Sequence, residues 1–152
     1  MQYRRDAVSE DAKDVTGTEG GCLCGSVRFR FEYPSRFCVH CHCSICRRAH
    51  GAGFVTWAGV PRAHFAPLGS RAHLTTYKSS DHGIRTFCGN CGSSLFCESN
   101  REPDLVYVAI ANLDRALDRI PQAHVYFSDR ADWIDPTDAL PRLGGASGDE
   151  PL

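Results

Sequence analysis

Four cysteines and two histidines fall within the nine residues Cys38-Val39-His40-Cys41-His42-Cys43-Ser44-Ile45-Cys46. Thiols at this density exceed what core packing asks of cysteine, and thiolate and imidazole are the side chains that bind soft metals such as zinc. Cys41, Cys43 and Cys46 form C-x-C-x-x-C, a spacing with which a chain that turns sharply and then enters a helix can aim three sulfurs at one point. Three thiolates leave a tetrahedral ion one ligand short, and an open position is what separates catalytic from structural zinc. Cys38 could close the set, because Cys38-x-x-Cys41 and Cys43-x-x-Cys46 together supply four thiolates and would make the cluster inert. Two knuckles joined only by His42 would have to wrap one ion with almost no connecting chain, so the preferred reading makes Cys38 a thiol at a strand end. His40 and His42 are placed either to ligate or to orient the ligands from behind.

Phe87-Cys88-Gly89-Asn90-Cys91-Gly92 is a second signal, a C-x-x-C chain reversal with glycines that relieve a crowded backbone. Its two sulfurs need two partners. Cys22 and Cys24, flanked by Gly21 and Gly25, are the natural ones, since the remaining thiols already form their own cluster. Four thiolates leave no position for substrate, so this second site reads as structural. Cys97 reads as an ordinary core cysteine.

The chain has 152 residues, 42% hydrophobic and 10% aromatic, with a formal net charge of -1. That suits one domain with a moderate core and argues against a nucleic-acid or anionic-membrane surface. No apolar core follows Arg4-Arg5, so no export signal is expected. Nine cysteines then point to a reducing, cytoplasmic setting in which C-x-C and C-x-x-C pairs are ligands rather than disulfides.

The elements that must hold these ligands are short. Val27, Phe29, Phe31 and Tyr33 alternate with Arg28, Arg30 and Glu32, which predicts a half-buried antiparallel strand. Ser44–His50 has room for two helical turns, with Ser44 as N-cap and Gly51 as stop. Strands are expected at Phe54–Trp57, Ala63–Phe65, Leu74–Lys78, Arg85–Phe87, Leu95–Glu98, Leu105–Ala109 and His124–Phe127, and one helical turn at Asp114–Arg119. This pattern predicts a mainly β, antiparallel domain over residues 20–143. Residues 1–19 and 144–152 lack apolar periodicity and are expected as flexible tails.

Gly21-Cys22-Leu23-Cys24-Gly25, Cys41-His42-Cys43-Ser44-Ile45-Cys46-Arg47 and Arg85-Thr86-Phe87-Cys88-Gly89-Asn90-Cys91-Gly92-Ser93-Ser94-Leu95 resemble the signatures of the glutathione-dependent formaldehyde-activating enzyme family, which includes centromere protein V-like proteins. Ala111-Asn112-Leu113-Asp114, Pro121 before His124, and Trp133 followed by Leu140-Pro141 agree. The resemblance implies a zinc-bearing β-tent fold with short helical turns. It also implies two zinc ions per chain, a structural one at Cys22, Cys24, Cys88 and Cys91 and a second, catalytic one at Cys41, Cys43 and Cys46. The extra Cys38 departs from the pattern.

A soft ion with a free position suits an incoming thiol, which it would hold as the nucleophilic thiolate. Joining formaldehyde to glutathione, or cleaving the carbon–sulfur bond of S-hydroxymethylglutathione, needs little more. Glutathione carries two carboxylates, for which Arg47, Arg48 and Arg85 are candidate partners by bidentate pairing. Trp133 and Ile134, an apolar pair among Asp132, Asp135 and Pro136, read as an anchor folding the C-terminal segment back, with Trp133 against the substrate. The alternatives are a non-catalytic zinc module for protein or nucleic-acid binding, which asks for a basic stripe, and a chaperone-like role, which asks for an exposed apolar patch.

Overall fold

A computed structural model describes residues 16–152. The alternating segment folds as β2 (Arg28–Glu32), with Phe29 and Phe31 buried and Arg30 and Glu32 exposed. It is the central strand of a three-stranded antiparallel sheet, between β1 (Gly17–Gly21) and β5 (Phe65–Leu68). A seven-stranded sheet is built from β3 (Phe37–Cys41), β4 (Val55–Pro61), β6 (Leu74–Lys78), β7 (Gly83–Cys88), β8 (Ser94–Ser99), β9 (Leu105–Ala109) and β10 (His124–Val125). Its order is β10-β3-β4-β9-β8-β7-β6, antiparallel except for the β10–β3 pair. The fold is therefore mainly β with antiparallel sheets, and among the described residues no helix is long and apolar enough to cross a membrane.

Register assigns each side chain of the large sheet to one of two faces, because neighbours along a strand point to opposite sides and paired residues share one. The pairs Cys38↔Ala58, Ala58↔Val108 and Phe96↔Val108 define one face. It is covered by the small sheet: Phe29 and Phe65 meet Phe96 edge-on at 4.9 and 4.8 Å. Phe31, Val60, Val106 and Leu95 complete this core, and each buried ring or branched chain stabilises the domain by about 1.5–3 kcal/mol. A bulge opposite Thr86/Phe87 turns Leu95 inward beside Phe96. The pairs Cys41↔Val55, Trp57↔Ala109, Cys97↔Tyr107 and Arg85↔Cys97 define the other face. There α1 (Ser44–His50) covers Trp57, whose ring takes His50 edge-on at 5.2 Å. Further out, Tyr107, Cys97 and Arg85 are half-buried and Tyr77 is 65% exposed.

Several expectations are corrected. Residues 17–19, assigned by sequence to a tail, belong to β1, which pairs with β2 along its whole length. This strand has no apolar pattern because its closest contacts leave no room for side chains: a Cβ on Gly20 would overlap Asn112 O and the Phe29 ring. The expected tail at 144–152 forms a hairpin between β11 (Leu143–Gly144) and β12 (Glu150–Pro151). Its Gly148 lies against the face of the Tyr126 ring and accepts a hydrogen bond from Tyr126 N at 2.7 Å. Ala63 belongs to a 3₁₀ turn at Arg62–His64, and the strand follows it as β5, an edge strand that tolerates Pro67. Asp114–Arg119 is irregular rather than helical, since its carboxylates act as tethers, Asp114 to Arg28 and Asp118 to Ser35 N and Oγ. The strand expected to reach Phe127 stops at Val125, where Tyr126 takes a left-handed backbone with φ 53° before a 3₁₀ turn. The rest of the expected N-terminal tail lies outside the described residues.

Gly20→Val tests the close approach of β1. The branched side chain must displace Asn112 or Phe29, at a cost of about 1–3 kcal/mol and a melting temperature lowered by on the order of 5 °C. A variant that melts with the parent would refute the packing described for β1.

Candidate metal centres

Cys22 ends the turn out of β1, Cys24 lies at the tip of the β1–β2 link, and Cys88 and Cys91 flank the β7–β8 reversal. The turns are shaped by Gly25 and Gly92 at φ 76° and 78°, a backbone region open to glycine. Leu23 N donates to Ser93 Oγ at 3.0 Å, locking the two loops together. The four sulfurs lie within 4.8 Å of one another, with Cys22–Cys24 at 3.5 Å and Cys24–Cys88 at 3.9 Å. Tetrahedral zinc with bonds near 2.3 Å sets its sulfurs about 3.8 Å apart, so the donor set fits that ion. Two of these thiols are already biased toward the ligating thiolate. Hydrogen bonds with Ser26, supported by Asn90, lower Cys24 to about 5, and a hydrogen bond with Ser93 lowers Cys91 to about 7. Burial pushes Cys88 up to about 11, so a metal must displace its proton.

The second group joins a strand end to a helix start. Cys41 closes β3, and Cys43, rather than Ser44, is the N-cap of α1, its sulfur accepting from Cys46 N at 3.3 Å. Gly51 ends the helix in the left-handed conformation, as expected. The sulfurs of Cys41, Cys43 and Cys46 lie within 4.8 Å of one another, with Cys41–Cys46 at 3.6 Å, and fit three corners of a zinc tetrahedron. Hydrogen bonds with Cys41 and Cys43, and then Arg85, hold Cys46 far below the ordinary thiol range, while hydrogen bonds with Cys43 and Cys46 raise Cys41.

Cys38 does not join this group. It lies within β3 rather than at its end, an odd number of residues from Cys41, and so faces the opposite side of the sheet. It is fully buried there, and burial lifts its thiol to about 11. His40 and His42 also turn to the far side. His42 Nε2 meets His124 Nδ1 at 2.8 Å, and His124 Nε2 lies 3.1 Å from both oxygens of Asp138. His40 Nδ1 reaches Thr56 Oγ1 at 2.9 Å. The histidines brace the ligand-bearing strand instead of completing the metal set. His124 and Asp138 could not be found from spacing, because the contact of His124 with His42 spans 82 residues.

The arginines separate into three situations. Arg47 donates from Nε to His42 O and from Nη2 to Asp129 O, both at 3.1 Å, and so ties α1 to the C-terminal segment. Arg48 is exposed. Arg85 donates from Nη2 to Cys46 Sγ at 3.3 Å and from Nε to Ser79 Oγ at 3.2 Å. Trp133 is 69% exposed; its neighbour Ile134 makes the closest approach to Gly53, with the edge of Trp133 beside it. A cleft of about 640 Å³ opens between α1, β4 and the β7–β8 reversal, lined by His50, Phe54, Thr56, Ser94 and Asn112. Val55 and Ala109 line it too, and both pack in one cluster with Cys41 and Cys46.

Comparison with known proteins agrees with this architecture. A protein of Halomonas elongata named for glutathione-dependent formaldehyde activation is 32% identical over 124 residues, covering 77% of this chain and 79% of that protein. An uncharacterised lyase of Schizosaccharomyces pombe is 28% identical over 122 residues, covering 77% and 83%. A crystal structure of a Rhodobacter sphaeroides protein superposes with a TM-score of 0.57 at 24% identity, over 68% of this chain and 97% of that one, a likeness of fold. The family model described as glutathione-dependent formaldehyde-activating enzyme matches residues 17–129, a span that holds both cysteine groups, and the chain belongs to that family.

Proposed function

We propose that the protein is a zinc-dependent carbon–sulfur lyase that makes or breaks the adduct of formaldehyde with glutathione, S-hydroxymethylglutathione. The observation that carries this reading is the convergence of the Cys41, Cys43 and Cys46 sulfurs while Cys38, the remaining thiol of the motif, faces the other side of β3. Cys22, Cys24, Cys88 and Cys91 would hold a structural zinc ion with four thiolates, and Cys41, Cys43 and Cys46 would hold a second with three. That ion supplies a soft Lewis acid that keeps an entering thiol as its thiolate.

The chain's own residues then have simple tasks. The three cysteines fix the direction of the free position. Addition forms one C–S bond: the sulfur pair enters the formaldehyde carbon, the carbonyl π pair moves to oxygen, and the proton lost by the thiol ends on that oxygen. Cleavage runs the same changes backwards. The cleft beside Val55 and Ala109 offers room for the peptide portion of the thiol, and the exposed Arg48 is the free cation on α1 for its carboxylates. The net charge of -1 favours such a small substrate over nucleic acid. Nine unpaired thiols suit a reducing cytoplasm.

Two measurements test the assignment. Cys88→Ser removes a ligand from a site joining residues 64 positions apart, Cys24 and Cys88. Structural zinc contributes on the order of 10 kcal/mol, comparable with a whole domain's stability, so the variant is expected to fail to fold or to lose cooperative melting. A parent-like melt would break the proposed pairing. In cobalt-substituted protein, glutathione should intensify the thiolate charge-transfer bands of the Cys41 site as a fourth sulfur binds, and Cys38→Ser should leave the starting spectrum unchanged. A four-thiolate spectrum in the free parent that loses one sulfur in Cys38→Ser would overturn the open site and leave a doubly structural zinc protein.

A further inference from the structure

Arg85 stands apart from the other paired arginines of the fold. Arg28 is paired with Asp114 and Glu19, Arg62 with Glu98 and Arg119 with Asp118. Arg85 is half-buried on the open face of the large sheet, and among the described residues no carboxylate lies in ion-pair range of it. A guanidinium withdrawn from water needs a counter-charge, and the candidate ligand sulfur of Cys46 lies 3.3 Å from its Nη2. The side chain is held for this contact, since Nε donates to Ser79 Oγ at the far end of the β6–β7 hairpin. Its third nitrogen, Nη1, is buried and has no acceptor among the described residues. One donor of the fork is committed to a ligand sulfur, and another is unspent.

The charge balance of the site gives this arrangement a purpose. Three thiolates around a divalent ion leave one net negative charge. A fourth thiolate would raise it to two in a partly desolvated setting, where like charges repel more strongly than in water. A cation against Cys46 cancels one of these charges before the fourth sulfur arrives. Water or imidazole, being neutral, gains nothing comparable from it.

We propose that Arg85 is the specificity-determining residue of the open thiolate site, compensating its charge so that an anionic sulfur is taken as the fourth ligand in preference to a neutral donor. The inference rests on the open-site reading given above. On binding, the thiol S–H bond breaks with both electrons staying on sulfur, and the proton leaves to the buffer. Arg85 carries out no bond change itself. Its task differs from the pairing with a substrate carboxylate that the sequence suggested.

Cobalt-substituted parent, Arg85→Gln and Arg85→Lys proteins, each checked for two cobalt ions per chain, are titrated with glutathione, mercaptoethanol and imidazole, and fourth-ligand binding is followed in the visible spectrum. Loss of a charge-assisted contact predicts that Arg85→Gln weakens both thiols roughly tenfold or more, and that Arg85→Lys recovers part of the loss. Imidazole affinity should stay unchanged in all three. Weakening of glutathione with mercaptoethanol unaffected would mean that Arg85 reads a substrate carboxylate, and the proposal would be wrong. Equal weakening of imidazole, or loss of cobalt in both variants, would make Arg85 a structural brace and also overturn it. A parent that binds no thiol would instead remove the open-site reading and the proposal with it, an outcome distinguishable because it appears before any substitution is made.

Discussion

Successive side chains of a β-strand point to opposite sides, and β3 turns that rule into a division of labour. Cys41 faces the side where α1 begins, so its sulfur can join those of Cys43 and Cys46. Cys38 is fully buried on the opposite face, paired in register with Ala58. The histidines take the same far side, and buried His42 and His124 form a chain that ends at the exposed carboxylate of Asp138. One strand thereby separates ligand chemistry from ligand support. A shift of register by one residue would exchange the two sets.

The cysteine clusters were legible because ligand chemistry constrains spacing more tightly than folding does. A C-x-x-C reversal with glycines has few other uses, and the helix at Ser44–His50 is bounded by residues that local rules recognise. The half-buried strand β2 declared itself by alternation. What escaped was structure made by absence. β1 is built on glycines that fit only because they have no side chain, and its sequence resembles a tail for the same reason. Tertiary partners were equally silent: the contact of Asp138 with His124, and that of Arg85 with Cys46 across 39 positions, leave no local signature. Sequence reveals the cation at Arg85 but not the Cys46 sulfur that the fold brings to it.

The two thiol groups are mechanically related through β7. This strand carries Arg85 to the Cys41 group and, three residues on, Cys88 to the other group. The Cys22–Cys24 loop hangs from the small sheet and the Cys88–Cys91 reversal from the large one, so closing that set clamps the sheets whose phenylalanines already interlock. Arg85 therefore sits about 10 Å along one strand from Cys88.

Tyr126 combines a left-handed backbone with a ring that packs toward Cys41 and Cys46 on one side and is covered by Gly148 on the other. The last ten residues thus form the outer wall of the thiol-bearing region, although the family match ends at residue 129. A side chain at position 148 would press on the Tyr126 ring and, through it, on the cluster that holds Cys41 and Cys46.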